Sequence, residues 1–336
     1  ISPLGVPLGL LAQSWWTRTQ PKSKPHAKRK LEEKETRYWF SAIEAGAKSW
    51  SQANPSTRLW FQLDRGGDFR EMLAWAQHTE HWITVRASHD RRTADEHVAY
   101  LWESVEQAPV IAKRSLEIPE TKTRKARTAK LELRAASVSL RLKNKWTKAT
   151  TTTTLNALLV REVEPPADGG EPLEWMLLTN HPINTRADAE LVLFGYTQRW
   201  RVEQFHKILK SVCKVEKTQL REAAQIERWA TILSAVAMRL LRLTYFARVS
   251  PNAPASLELS RSEIAALIVA KGKGTHRLSD EISIDQAITW IAELGGYVGK
   301  KSSGGPPGML VLARGLERLE QRAQAVADVL EFVGKT

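Results

Sequence analysis

The chain has 336 residues, of which 42% are hydrophobic and 26% charged, so it can bury a sizeable core and has the length of about two domains. Its formal net charge of +13 indicates a polyanionic partner, with nucleic acid ahead of an acidic membrane surface. One cysteine, Cys213, excludes an internal disulfide and a cysteine-based zinc site, so we expect a protein of the reducing cytoplasm. No apolar run reaches the roughly 18 residues of a membrane span, and no signal peptide opens the chain, which argues against integral membrane and secreted proteins.

The chain opens with Ile1, and residues 4–11 place turn residues between apolar ones. This pattern is typical of a hairpin entered halfway. We therefore expect the chain to be a fragment that lacks its N-terminal part.

Residues 58–64 predict a buried strand that ends in Asp64, followed by a helix over 68–79 and a strand over 82–86. Residues 113–148, the basic module, hold twelve Lys or Arg against three Glu. Their apolar-polar alternation predicts a half-exposed sheet, which continues through the threonines at 150–154. Such a module is either an ordinary solvated sheet face or a surface that binds nucleic acid.

The second half is mainly helical. We predict a strand over 175–179 and then helices over 185–213, 223–248, 284–294 and 310–333. The fold class is therefore α/β, with a core interrupted by a β-rich insertion and followed by helices. The predicted division is 1–106 and 173–248 for the two parts of the core, 107–172 for the insertion, and 249–336 for a helical C-terminal region.

The predicted helix over 185–213 places polar groups on one narrow stripe. At about 100° per residue, Tyr196, Arg199, Glu203 and Lys210 share that stripe, which sets one acid among basic and aromatic groups. An exposed acid of this kind could be half of a salt bridge within the helix. The residues expected to face the core on the opposite side are Val202, Phe205, Ile208 and Leu209.

Asp64 is the second candidate acid, because ligands gather outside the carboxyl ends of strands in α/β sheets. Asp68 fits the role of helix cap better and leaves Asp64 for chemistry. Carboxylates hold Mg²⁺ together with substrate phosphates, and a pair of such ions assists phosphoryl transfer.

The spacing Tyr196-x2-Arg199-x3-Glu203-x6-Lys210 resembles the signature of the IS-four-like DDE transposases. Further stretches that resemble this family, in its order, are 62–68, 85–86, 172–179 and 232–241. The resemblance implies an RNase H-like core. It also implies three carboxylates that bind Mg²⁺ or Mn²⁺ and catalyse strand nicking, hairpin formation and strand transfer.

By this resemblance Asp64 matches the second acid and Glu203 the third, whereas no residue matches the first, which we expect upstream of Ile1. Trp175 matches an aromatic that stacks on a flipped base. The implied partners are double-stranded DNA and a second copy of the chain, through its C-terminal helices. The implied DNA contacts are Arg86, Trp175, Tyr196, Arg199, Lys207 and Lys210.

Two alternatives remain. The first is a chain that lacks the first catalytic carboxylate and cuts no DNA. It could still bind DNA, or pair with a full-length copy and inactivate it. The second alternative is a related RNase H-like nuclease that belongs to no transposon. For the transposase hypothesis, Asp64 and Glu203 must approach to about 4–7 Å to share a metal pair.

Overall fold

The computed structural model describes residues 1–17, 29–118, 120, 125–164, 166, 169–272, 274, 276–278, 280–299 and 307–333, with only the backbone of 330–333. It is a mixed α/β structure with two compact units. The sheet unit comprises Leu11–Arg199, and the helical unit comprises Ile1–Leu10 and Trp200–Thr336. The four-part domain division stays a prediction.

The sheet unit alternates helices and strands in its first half and is then mostly strand. Its elements are α1 (Arg37–Ala53), β1 (Trp60–Leu63), α2 (Arg70–Ala76), β2 (Trp82–Arg86), α3 (Leu101–Glu106), β3 (Val110–Ile118), β4 (Arg127–Lys143), β5 (Thr150–Glu162), β6 (Glu174–Thr179) and α4 (Arg186–Thr197).

The six strands form one sheet in the order β1-β2-β6-β5-β4-β3. Strands β1 and β2 are parallel, with Leu63 beside Val85, and every other neighbouring pair is antiparallel. Arg86 lies beside Leu177 of β6. The carboxyl ends of β1 and β2 therefore meet the beginning of β6 at one edge, which we call the active edge.

Both faces of the sheet are covered by helices. Successive side chains of a strand point to opposite faces, so apolar residues on both faces need a partner to pack against. On one face, Met72 and Leu73 of α2 and Leu101 of α3 are fully buried against the sheet. On the other face, Val192 of α4 packs with Leu131 of β4. Strands β3 and β4, which carry most of the basic module, and the following β5 thus extend the same sheet as β1, β2 and β6.

The helical unit contains α5 (Trp200–Ser211), α6 (Ala223–Val249), α7 (Arg261–Lys271), α8 (Ile284–Leu294) and α9 (Met309–Val333). Their buried apolar faces share one core. Helices α8 and α9 approach closely at Gly315, where an added Cβ would lie 1.8 Å from the carbonyl oxygen of Ile291. Any side chain at position 315 would therefore separate the two helices.

Helix α6 is long and apolar enough to cross a membrane by length and composition alone, which differs from the sequence-based exclusion. Half of its most apolar window is buried inside the fold. Leu240 and Leu241 of this helix lie in the core of the helical unit, as expected of a core helix.

Several predicted elements are confirmed: the strand at 82–86, the β-rich stretch at 113–160, and the helices near 223–248 and 284–294. The hairpin predicted at 4–11 is wrong, since the described residues 1–17 contain no strand. The amide of Gly5 instead bonds the Ser2 carbonyl, and the amide of Ser2 bonds the Val6 carbonyl, in a local turn.

The single helix predicted over 185–213 is also wrong. Helix α4 ends at Thr197, and α5 begins at Trp200. The amide of Arg199 bonds the Tyr196 carbonyl, three residues back, so the chain makes a turn where the α-helical pattern would continue.

Candidate active site

The active edge brings together five of the residues predicted from sequence. Asp64 directly follows β1, and Arg86 is the last residue of the neighbouring β2. Trp175 is the second residue of β6, and its ring contacts Tyr196 of α4 edge-on, with centroids 5.3 Å apart. Arg199 follows closely, with its guanidinium carbon 5.8 Å from the Tyr196 ring centroid.

Asp64 sits in a tight turn made by two glycines. Its Oδ1 accepts a hydrogen bond of 2.7 Å from the amide of Gly66 and so caps the short 3₁₀ turn Arg65–Gly67. A Cβ on Gly66 would lie 2.9 Å from that same Oδ1. A side chain at position 66 would therefore displace the Asp64 carboxylate, which lies half-exposed at the end of the strand.

Asp68 is not the helix cap that the sequence suggested, because α2 begins after Phe69 and has no side-chain cap. Its buried carboxylate contacts Arg91 at 2.6 Å and accepts hydrogen bonds from the amides of Ser88 and His89. These contacts join the turn after β1 to the loop after β2.

The charge state of Asp68 follows from these contacts. Burial alone would raise the pKa of the Asp68 carboxyl. Arg91 and the hydrogen bonds from Ser88 and His89 outweigh burial and hold the pKa below its ordinary value. Asp68 is thus an ionised structural clamp beneath the active edge, a role that sequence spacing did not indicate.

Positive charge gathers around Arg86. The pKa of the Arg86 guanidinium lies below its ordinary value, mainly because the group is partly buried. The Tyr196 hydroxyl raises this pKa, whereas the positive charges of Arg65 and Arg199 lower it. A guanidinium stays protonated in proteins, so three positive charges remain at this edge. A bound phosphate would relieve their mutual repulsion.

Glu174 also supports the active edge, and the sequence interpretation missed it. Its carboxylate accepts hydrogen bonds from Arg161 at 2.6 Å and from the Trp102 indole at 2.9 Å. Its backbone carbonyl accepts a hydrogen bond from Arg86 at 3.1 Å. Glu174 therefore fixes the beginning of β6, next to Trp175, and no local sequence signal reveals these distant partners.

Glu203 lies in the helical unit, in the first turn of α5, where a negative charge suits the positive end of the helix. Helix α5 is fastened to α6 by Arg201, which stacks 3.7 Å above the Tyr245 ring and donates to its hydroxyl at 2.9 Å. That hydroxyl in turn donates to Gln204. The contacts of Tyr245 with Arg201 and Gln204, on either side of Glu203 in the sequence, thus hold the helix that carries Glu203.

The remaining residues of the predicted stripe behave differently from the prediction. Because α4 and α5 are separate helices, Tyr196 and Arg199 belong to the sheet unit, whereas Glu203 and Lys210 belong to the helical unit. Lys210 pairs with Glu216 at 2.9 Å, and Lys207 is exposed. The core-facing side is partly confirmed: Phe205, Ile208 and Leu209 are buried, but Val202 is 47% exposed.

The carboxylates can be tested as metal ligands. Among the described residues, no group of three or more His, Cys, Asp or Glu side chains lies close enough together to hold a metal ion. The second carboxylate oxygen of Asp64 accepts no hydrogen bond from the described part of the chain. Asp64 and Glu203 thus have the oxygen-donor chemistry that Mg²⁺ and Mn²⁺ prefer, but two carboxylates alone make an incomplete ligand set.

Comparison with known families covers much of this site. Residues 77–239 match the family model of the transposase DDE domain. This part of the chain is similar to a transposase DDE domain. The match spans just under half of the chain and includes Arg86, Trp175, Tyr196, Arg199 and Glu203, whereas Asp64 precedes the matched part of the domain.

Proposed function

We propose that this chain is an IS-four-like DDE transposase that cuts and joins DNA by metal-dependent phosphoryl transfer in cut-and-paste transposition. The observation that carries the proposal is the match of residues 77–239 to the transposase DDE domain. Asp64, which precedes the match, lies at the same strand edge as Arg86, and the charges of Arg65 and Arg199 act on the Arg86 guanidinium. A carboxylate for a metal beside cations for a phosphate is the arrangement that phosphoryl transfer needs. We propose an RNase H-like core around the parallel pair of β1 and β2.

In this proposal Asp64 and Glu203 hold Mg²⁺ or Mn²⁺ through their carboxylate oxygens. The bound metal would activate the attacking oxygen and stabilise the leaving oxygen. The chain's own residues bind and orient the DNA. Arg65, Arg86 and Arg199 neutralise the scissile phosphate and its neighbours. Each guanidinium can donate two parallel hydrogen bonds to the oxygens of one phosphate.

The substrate is double-stranded DNA at the transposon ends and at the target. The helical C-terminal region would pair two copies in a synaptic complex. Lys207 and Lys210 add cations on α5, although Lys210 also pairs with Glu216. We propose a cytoplasmic protein that lies on the nucleoid when bound to DNA.

The deciding experiment incubates the full product of the gene with a labelled duplex that carries the inverted repeats flanking it, in Mg²⁺. We expect a nick, then a hairpin, then release. Asp64→Asn and Glu203→Gln should each abolish cutting but keep DNA binding, whereas Glu44→Gln, an exposed acid on α1, should cut normally. Wild-type binding without any cutting would favour a non-catalytic DNA-binding protein and overturn the proposal.

Trp175 separates hairpin formation from nicking. Its half-buried ring packs against Tyr196 at the active edge, where a base flipped out of the duplex could stack on it. In the same assay Trp175→Ala should let nicked DNA accumulate, because the strand loses a stacking platform as it bends back. Equal slowing of both steps would make Trp175 a packing residue only.

A further inference from the structure

The cations of the basic module differ in whether they are paired with acids of the protein or are left to bind a polyanion. Near the base of the hairpin formed by β4 and β5, four cations are paired with acids of neighbouring strands, of the segment after β5 and of α4. These pairs are Lys113 with Glu132, Arg114 with Glu190, Arg127 with Glu162, and Lys130 with Glu164. These four cations therefore have little unbalanced charge to offer a polyanion.

The other end of the hairpin is different. Residues 133–161 contain no Asp or Glu. Within them, the part we call the hairpin tip (residues 139–154) carries four exposed cations, none of which forms an ion pair with a described residue. These cations are Arg141, Lys143, Lys145 and Lys148.

The strand register lines hydroxyl groups up with these cations. Arg141 lies opposite Thr152, and Lys143 lies opposite Thr150. All four side chains are exposed, whereas the intervening Leu142 is buried. Lysine, arginine and threonine are residues that proteins use to contact DNA phosphates, and here they occupy one face of a twisted two-stranded ribbon.

The turn at the tip presents an aromatic ring. Trp146 is 52% exposed, which is unusual for so large an apolar side chain. Its position is fixed because the Asn144 side chain accepts hydrogen bonds from the amides of Trp146 and Thr147. Lys148 adopts the left-handed conformation (φ 61°) that closes the turn. A tryptophan held outward among cations is typical of contacts with nucleic acid.

The hairpin tip is remote from the active edge within the sheet. Glu174, at the beginning of β6, pairs with Arg161 of β5, whereas Thr150, opposite Lys143, lies at the far end of β5. At about 3.4 Å per residue, these two points of β5 are roughly 37 Å apart, close to one turn of B-DNA. The tip therefore reaches phosphates other than the one that is cut.

We propose that the hairpin tip is a second DNA-binding surface, which holds the phosphate backbone of a duplex through Arg141, Lys143, Lys145 and Lys148 and contacts it through Trp146. This inference rests on the proposed function, since it takes DNA as the partner. It assigns non-specific affinity to the tip, and not to the four paired cations at the base. The sequence interpretation had considered the whole basic module (residues 113–148) as the surface that binds nucleic acid.

The test measures the affinity of the full chain for a duplex of unrelated sequence over a range of salt concentrations. Lys143→Gln/Lys145→Gln should reduce the steepness of the log–log salt dependence by up to about 1.8, or about 0.9 for each lost phosphate contact. The matched control Lys113→Gln/Lys130→Gln removes two cations that are paired with glutamates, and it should change the slope much less. Circular dichroism confirms that each variant is folded.

Trp146→Ala provides an independent check, because it removes no charge. It should weaken binding by about fivefold, the lower end of an aromatic contact with a base, and leave the salt slope unchanged. A slope unaltered in the tip variant, or reduced equally in the control, would overturn the inference and leave the proposed function standing. A wild-type chain that binds no duplex DNA would overturn both the inference and the proposed function. If the tip variant reduces the salt slope as expected but the wild-type protein cuts no DNA, the proposed function alone is overturned.

Discussion

At the scale of single residues, the best-supported feature beneath the active edge is the buried pair of Asp68 and Arg91. The Asp68 side chain is fully buried, and Arg91 is 14% exposed. Asp68→Asn would leave the Arg91 charge without its partner, so we expect a loss of about 3–5 kcal/mol in the free energy of unfolding. Denaturant unfolding measures this, with Glu44→Gln as an exposed control that should change stability by less than about 0.5 kcal/mol.

The same pair predicts how stability depends on pH. The pKa of Asp68 is lower in the folded than in the unfolded chain, so its stabilisation is fully present above the unfolded value of about 3.9. It is lost as the pH falls through the folded-state pKa. Asp68→Asn should therefore flatten the acid limb of the stability curve below about pH 4. An acid limb identical to that of the wild type would contradict the assignment.

Gly67 makes a steric prediction beside the candidate catalytic acid. A Cβ at this position would lie 2.7 Å from the Cβ of Leu63, which is 1% exposed and cannot move aside. Gly67→Ala should therefore cost about 1–3 kcal/mol of stability through overpacking. Gly46, in the middle of α1, is the matched control, because its nearest neighbour would be 3.7 Å away. Gly46→Ala should stabilise the fold by about 0.5–1 kcal/mol, and the same sign for both variants would contradict this account.

At the scale of elements, Tyr245 connects α6 to the helix that carries Glu203. Tyr245→Phe keeps the ring under Arg201 but removes the hydroxyl, which accepts from Arg201 and donates to Gln204. We expect about 1 kcal/mol of lost protection, so amides in α5 should exchange about fivefold faster with deuterium. Tyr100→Phe, in the sheet unit, should leave α5 unchanged. Unchanged exchange in Tyr245→Phe would show that packing alone holds α5.

Elements were predictable from sequence where one local pattern decides them. Alternation gave the strands of the basic module, and helical spacing gave Ala223–Val249. The break after Thr197 was missed although Gly195 lies two residues before it, because a single glycine is tolerated inside a helical pattern and apolar residues continue on both sides. The sequence analysis therefore merged two helices and placed Tyr196 and Glu203 on one stripe.

The candidate site shows the same limit. Motif spacing located Asp64, Arg86 and Tyr196, and the sheet brings these residues to one edge. Which of the two aspartates caps the turn depends on Ser88 and Arg91, twenty or more residues further along the chain. The ion pairs that neutralise the base of the basic module also join distant strands, so a count of charges along the sequence overstated what that end offers to DNA.

At the scale of the whole molecule, the proposed function requires Asp64 and Glu203 to share one metal site although they lie far apart in the sequence. The family resemblance, and not the geometry, assigns both acids to that site, so their approach to about 4–7 Å stays a prediction. Binding of Mn²⁺ to the full gene product tests it without any DNA cutting, since free Mn²⁺ is counted directly by electron paramagnetic resonance.

In that experiment Asp64→Asn and Glu203→Gln should each weaken Mn²⁺ binding by more than about tenfold. If the acids share a site, the double variant should lose far less than the product of the two single losses, because the first substitution already destroys the site. Glu44→Gln, an exposed acid on α1, should bind Mn²⁺ as the wild type does. Two losses that simply multiply would show that the acids act at separate places, and the metal site would then have to be sought elsewhere in the protein.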